Sequence, residues 1–272
     1  MSARRAVDPH VVVAEVVGTR RVTPSMVRVT LGGEGVGLFT ATGFDQWFRL
    51  FLPRDGQGTL RLPTRTSSLW YVQYLATPKA QRPHVRAYTV RDARPAQQEI
   101  DVDFVVHLAD DVPTGPAVAF ALTAEPGQQV GLLDQGHGFG VRHDHDSVLL
   151  VCDETGLPAV ARICESLPAD ARGLALIEVP TAMDVQEFRA PDGVEVRWLP
   201  RDEGDEHERA VPGRLALARL PEVPLPGRTP YAHLIGESAL ATGARRHLVT
   251  RCGVPKAHIG FAGYWRHGHA AQ

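Results

Sequence analysis

Cysteine is scarce in this chain. Cys152, Cys164 and Cys252 are scattered, odd in number and never spaced as a CxxC pair. That excludes a disulfide framework and a four-thiolate iron–sulfur site, and reads as buried free thiols in a reducing compartment. Long apolar runs are also missing. Stretches such as 147–152 are far too short to span a bilayer as a helix. Residues 1–10 carry charges and a proline but no apolar core, so no signal peptide is read and a cytoplasmic location is expected. Neither sign of charge dominates: 29 Lys and Arg face 31 Asp and Glu, with no basic run. This argues against nucleic acid or an anionic membrane as the main partner. Nucleophile elbow, HExxH and GxGxxG motifs are all absent. Among twelve histidines, the pairs His143/His145 and His267/His269 have no evident third ligand, so no protein metal site is expected.

What is present fits a soluble globular protein of 272 residues, 43% apolar and 22% charged, long enough for two domains. Glycine (26) and proline (21) are abundant, which suits many short elements joined by tight turns.

The two halves differ in period. In the first, strands are expected over 11–17, 26–31, 47–52, 85–91, 100–106 and 130–133. Ile100, Val102, Phe104 and Val106 alternate against Glu99, Asp101 and Asp103, and turns such as Gly32-Gly33 and Pro126-Gly127 punctuate the runs. About six short antiparallel strands predict a small barrel. The stretch 61–83 is mixed and proline-flanked and reads as a loop with one helical turn. The second half begins near Asp144. Ser147–Val151 is continuously apolar, as in a strand buried on both faces. A helix follows on Leu157, Val160, Ile163, Cys164 and Leu167, with Thr155 as cap and Pro168 as stop. Strands 174–179, 194–199, 232–235 and 259–262 alternate with helices 212–220 and 238–251, the last closed by Gly253. That order predicts a parallel α/β sheet, with ligands beyond the carboxyl ends of its strands. The acidic stretch 202–208 reads as a solvated loop.

Several strings carry chemistry. In Arg86-Ala87-Tyr88-Thr89-Val90-Arg91, a cation, a ring and a hydroxyl at neighbouring strand positions suit a phosphate, a flat ring and its polar edge. A half-buried barrel strand with exposed arginines would look the same. Gly115-Pro116-Ala117 before an apolar run reads as a helix start that offers backbone N–H groups to an anion, or as a plain loop. His107 ends a strand. Asp153-Glu154-Thr155-Gly156 occupies the strand-to-helix turn where a nucleotide fingerprint would stand, and is either a site or a cap.

The order of these strings resembles one family: the siderophore-interacting proteins, flavin-dependent ferric-siderophore reductases of the ferredoxin-reductase-like superfamily. The matching strings are Arg21-Val22-Thr23-Pro24-Ser25-Met26, Asp45-Gln46, 86–91, Asp103-Phe104-Val105-Val106-His107, Gly115-Pro116-Ala117, Asp153-Glu154-Thr155 with Leu157-Pro158-Ala159, Gly236-Glu237 and Gly263-Tyr264-Trp265-Arg266-His267-Gly268. They run in order over nearly the whole chain.

The resemblance implies an α+β two-domain protein. An antiparallel six-stranded FAD-binding β-barrel over 1–143 would precede a parallel NAD(P)H-binding α/β sheet over 144–272. By analogy Arg86 holds the FAD pyrophosphate, Tyr88 packs on the isoalloxazine and Thr89 bonds near its reactive edge, with Val90 and Arg91 alongside. His107 contacts FAD, and Gly115, Pro116, Ala117 and Val118 hold its phosphates. Asp153, Glu154 and Thr155 face the nicotinamide, and Glu237, Tyr264 and Trp265 close the cleft. The electron donor is NADPH or NADH, with a reduced ferredoxin as an alternative. The substrate is a ferric siderophore, often anionic, for which Arg266, then Arg49, then Arg142 are the candidate contacts. Iron stays in its chelator, so no metal ligand is required, and electrons arrive as a hydride pair and leave singly. Two departures stand out: Val118 replaces a Ser or Thr, and Phe120 replaces a Trp. The alternative readings are a generic NAD(P)H:flavin or quinone oxidoreductase, and a non-catalytic siderophore-binding protein.

Overall fold

The computed structural model describes residues 6–54, 56–57, 59–109, 112–140, 143–209 and 211–269. Arg142 lies outside these residues. Two compact units meet in sequence between His137 and Gly138.

The first unit holds β1 (Val11–Thr23), β2 (Met26–Gly32), α1 (Glu34–Gly37), β3 (Gln46–Leu52), α2 (Leu69–Ala76), β4 (His84–Thr89), β5 (Asp92–Arg94), β6 (Glu99–Val105), the short pair β7 (Leu108–Ala109) and β8 (Val112–Pro113), α3 (Pro116–Thr123) and β9 (Gln129–His137). Seven strands pair antiparallel in the order β4-β3-β9-β1-β2-β6-β5. The two edge strands of that order, β4 and β5, are separated in sequence by only Val90 and Arg91. Val90 N donates to Gln46 O on β3, and Arg91 N donates to Asp101 O on β6. One bent run therefore pairs with both ends of the sheet and closes it, which reconciles seven hydrogen-bonded segments with a six-stranded barrel.

Inward residues fill the barrel: Val29, Leu31, Phe48, Leu50, Phe104 and Leu132 are all buried. On the other face of β6, Asp101 and Asp103 are buried under guanidinium groups. Arg28 grips Asp103 with two bonds of 2.6 and 2.8 Å, and Arg94 grips Asp101 with bonds of 2.9 and 2.7 Å. Thr30 Oγ1 adds a bond of 2.8 Å to Asp101. Register sets Arg28 directly opposite Asp103 and Thr30 opposite Asp101, while Arg94, whose register partner is Glu99, reaches Asp101 diagonally.

The second unit contains β10 (Ser147–Cys152), α4 (Leu157–Ser166), β11 (Arg172–Val179), β12 (Gly193–Pro200), α5 (Glu206–Arg209), α6 (Arg214–Arg219), β13 (Pro230–Glu237), α7 (Ser238–Thr250) and β14 (Ile259–Trp265). The sheet is wholly parallel, in the order β12-β11-β10-β13-β14. Strand order reverses direction between β10 and β13. β10 is buried along its whole length, which is why it reads as an unbroken apolar run.

Four expectations are corrected. Residues 61–83 are not a loop with one turn, because α2 makes two turns there and a 3₁₀ turn follows at Lys79–Gln81. The last strand of this unit, expected over 130–133, does not end at Leu133, because β9 continues to His137. The acidic stretch near 205 is not a plain solvated loop: α5 forms, and Glu208 is buried against Arg219 at 2.9 Å. Cys252 is exposed, while Cys152 and Cys164 are buried. No helix among the described residues is long and apolar enough to cross a membrane.

Removing one partner of a buried ion pair strands the other charge, which typically costs about 3–5 kcal/mol. Arg28→Ala should therefore lower the urea midpoint by an amount equivalent to about 3 kcal/mol, with the transition slope unchanged. A loss under about 1 kcal/mol would mean that Arg91 carries Asp103 without it.

Candidate functional site

In the barrel unit, the string 86–91 is the closing run itself. Arg86 and Tyr88 share one face of β4, and Ala87 and Thr89 the other. Tyr88 is half-buried, its ring centroid 4.2 Å from that of Phe104, and Phe104 in turn lies 5.8 Å from Phe120 on α3. Burial pushes the Tyr88 phenol well above its usual range. Thr89 and Val90 are buried. The Arg86 guanidinium donates to its neighbour's carbonyl, Val85 O, at 2.7 Å and forms no ion pair among the described residues. Its positive charge is uncompensated.

Arg91 behaves differently. It is buried, with Nε 3.9 Å from Asp103, and belongs to the charged ladder of β6. His107 follows β6, and its carbonyl accepts from Thr114 N and Oγ1 at 3.2 and 3.0 Å, which folds the chain back toward α3. α3 begins at Gly115 with Pro116 in its first turn, and no side chain caps it. A Cβ on Gly115 would meet nothing within 4 Å, and no side chain takes the first-turn N–H groups, the arrangement that suits an anion. Val118 is partly buried and packs on the barrel core rather than presenting a hydroxyl. The expected Trp position is taken by Phe120, which completes the ring series behind Tyr88.

An uncompensated cation, a half-buried phenol, a buried hydroxyl and an uncapped helix start fit a dinucleotide with a flat ring system. Asp134, which gives its stretch an acidic look, is not part of that set. It is buried and accepts from Gln46 Nε2 at 3.0 Å and Gly136 N at 2.8 Å. Burial raises its pKa against those bonds.

Arg49 lies on β3 opposite Ala87. Its guanidinium carbon is 5.0 Å from the Trp47 ring centre and 5.7 Å from that of Trp70 on α2. Burial lowers its pKa, and its Nε is buried with no hydrogen-bond partner. The Trp70 wall had no signature in the sequence, because it belongs to the stretch that reads as a loop.

In the α/β unit the site is organised around Asp153, fully buried at the carboxyl end of β10. One oxygen accepts from Thr155 N and Oγ1. The other accepts from Glu237 N at the end of β13 and from Trp265 Nε1 at 3.4 Å. The carboxylate thus bridges β10, β13 and β14 where strand order reverses, the usual ligand position in such sheets. Gly236 has φ of 120°, and a Cβ there would lie under 3 Å from that carboxylate, so only glycine fits. Thr155 serves Asp153 and does not cap α4, whose cap is Gly156.

Glu154 faces elsewhere. Arg201 donates to both its oxygens at 2.9 and 3.0 Å, and to Glu178 at 2.7 Å. Glu178 also accepts from Gly213 N and Ala216 N at the start of α6. These partners lie 23 to 47 residues from the acids in sequence and left no local pattern to read. Glu237 caps α7 through Ala239 N and Leu240 N and accepts from His267 N at 3.2 Å. Tyr264 and Arg266 are exposed, and Trp265 is half-buried.

Burial and the neighbouring charge of Glu154 push Asp153 up to about 7. An unfolded Asp titrates near 4. Between those values the folded state keeps a proton that the unfolded state releases, so this group's stabilisation is lost as pH rises from about 4 to about 7. Thermal unfolding of Asp153→Asn against wild type should show the difference shifting in the variant's favour across that window, then levelling above pH 8. Parallel profiles would contradict the assignment.

Comparison with known proteins agrees with this geometry. Residues 15–138 match the siderophore-interacting FAD-binding domain, and residues 145–268 match the siderophore-interacting protein domain. A siderophore utilization protein from T. fusca superposes with a TM-score of 0.80 at 32% identity, over 97% of this chain and 96% of that one. The ferric vibriobactin reductase ViuB of Vibrio cholerae is 29% identical over 91% of this chain and 86% of its own. The NADPH-dependent ferric-chelate reductase of Escherichia coli is 30% identical over 76% of each. The ferredoxin-NADP+ reductase of Plasmodium falciparum, 8% identical with a TM-score of 0.65 over 93% and 96% of the two chains, shares the fold alone. With a flavin-type barrel, a parallel nucleotide-type sheet and both domain signatures in order, the chain belongs to the siderophore-interacting protein family, on a ferredoxin-reductase-like fold.

Proposed function

We propose that the chain is a flavin-dependent reductase that passes electrons from NAD(P)H through FAD to a ferric siderophore, releasing iron(II). The observation that carries this reading is the closing run of the barrel. There Arg86, with its charge uncompensated, and Tyr88, backed by Phe104 and Phe120, belong to a unit matched as an FAD-binding domain. The two named reductases among the relatives support the substrate class.

Arg86 and the first-turn N–H groups of α3 would hold the FAD pyrophosphate. Tyr88 would cover the ring, and Thr89 would bond its polar edge. Bound FAD accepts two electrons as a hydride and gives them up one at a time. Asp153, through Thr155, Glu237 and Trp265, fixes the strand ends of the α/β unit, where the nicotinamide nucleotide would bind. Glu154 supports that end through Arg201 rather than by touching the nucleotide. Arg49 and Arg266 are the proposed contacts for an anionic chelate; Arg49 is already partly stripped of water, which strengthens its pull on an anion.

The test is an anaerobic absorbance titration. FAD should bind, NADPH should bleach it, and a ferric siderophore should restore the colour as a ferrous-iron dye develops. Failure to bind FAD at excess would overturn the proposal, and bleaching without reoxidation would favour a general flavin reductase. Arg86→Ala should weaken FAD binding by roughly 10- to 100-fold while the far-ultraviolet spectrum is unchanged. Neutralising Arg49 and Arg266 together should raise KM for an anionic chelate more than for a neutral one; equal effects would remove the electrostatic role.

A further inference from the structure

α2 is apolar over most of its circumference. Its sequence, Leu-Trp-Tyr-Val-Gln-Tyr-Leu-Ala, contains a single strongly polar side chain, Gln73. The inner face is well used. Trp70 is buried with Phe51 and Leu133, and Tyr74, Leu62 and Val85 pack on that cluster. Gln73 faces the preceding segment, where its Oε1 accepts from Thr64 N at 3.0 Å. The outer face has no such partner. Leu69 is 48% exposed, Tyr71 52%, Val72 62% and Leu75 46%. Four large apolar side chains on one short helix form a contiguous patch, and a helix apolar on all sides is normally covered.

The segment that carries the patch is one-sided in charge. Between Trp47 and Tyr88 the sequence has seven arginines and lysines and one acid, Asp55. The near-neutral total of the chain conceals this. Arg61, Arg65 and Lys79 are exposed and form no ion pair among the described residues. Arg82 closes the other end of α2. Its guanidinium donates to the carbonyls of Leu75 and Thr77 and lies 5.2 Å from the centre of the Tyr74 ring. A helix surface is convex, which suits a broad partner better than a small ligand, since small ligands are held in concave sites. Exposed Leu, Tyr and Val on a helix of eight residues, too short to span, with exposed cations in the segments before and after it, suit the boundary of an anionic surface.

We propose that α2 and its basic flanks form a docking surface for an anionic lipid membrane, on which the protein rests without crossing. Leu69, Tyr71, Val72 and Leu75 enter the headgroup boundary, and Arg61, Arg65 and Lys79 meet lipid phosphates. The proposal does not depend on the reductase reading.

The test is co-sedimentation of the full chain, loaded with FAD, with vesicles of pure phosphatidylcholine or of phosphatidylcholine containing about one third phosphatidylglycerol. The protein should pellet with the anionic vesicles and remain in solution with the neutral ones, and binding should fall as salt is raised. Val72→Asp with Leu75→Asp should weaken the partition about tenfold or more while circular dichroism stays unchanged, since both sites are exposed. Arg65→Gln with Lys79→Gln tests the charged fringe separately and should flatten the salt dependence. Absence of anionic vesicle binding would overturn the proposal. So would binding unaffected by the two aspartates, or a concentration-dependent dimer that those aspartates abolish, which would make a second copy of the chain the occupant.

Discussion

The barrel closes through a link of two residues, and most of the geometry around Arg86 and Tyr88 follows from that. Val90 bonds to β3 and Arg91 bonds to β6, so a single run must leave one edge of the sheet and join the other. The residues just before the link, Arg86 to Thr89, are held in register by β3 alone. The residues just after it belong to β6 and its charged ladder. Tyr88 is backed by Phe104 because the bend brings β4 over β6, and Phe120 extends the same stack to α3. The helix start at Gly115 and the tyrosine are therefore tied to one another by three rings rather than by sequence proximity. Arg91, though adjacent to the site string, is captured by Asp103 on the far side of the bend.

The α/β unit solves its own positioning problem with buried carboxylates. Asp153 joins three strand ends, Glu237 joins a helix start to the chain after β14, and Glu178 joins Arg201 to the start of α6. Each acid accepts from backbone N–H groups, which hold their positions more rigidly than side chains do. The cost is electrostatic. Asp153 is pushed up to about 7 because burial and Glu154 both oppose its charge. Arg201 offsets part of that cost by neutralising Glu154. A single cation thus makes a dense group of acids tolerable at the strand ends proposed to take an anionic nucleotide.

The strands were largely legible because their signal is local. Ile100, Val102 and Phe104 alternate with two aspartates, and the alternation needs no knowledge of partners. β10 announced itself as an apolar run because both its faces are covered. The site strings were legible for the same reason, as short motifs on strands and at turns. What could not be read was set by distant partners. Glu154 looks like a ligand in its string, and only Arg201, 47 residues away, shows where its oxygens point. Asp134 looks like the end of its strand until Gln46 supplies a partner for the carboxylate. α2 escaped because periodicity detects a helix by contrast between two faces, and here both faces are apolar. Thr155 looked like a cap, but Asp153 claims both its N–H and its hydroxyl.

β3 and β4 pair directly with one another along their whole lengths, from Trp47 opposite Thr89 to Leu52 opposite His84. The 31 residues between them, α2 included, are an excursion from a hairpin that is already complete. Lengthening such a connection costs little, since loop-closure entropy grows only logarithmically with length. The excursion is accordingly a place where lineages can experiment. A chain can gain, lose or recast the helix while the strand that carries Arg86 and Tyr88 keeps its register, so what the protein touches outside itself can diverge while the chemistry inside is inherited intact.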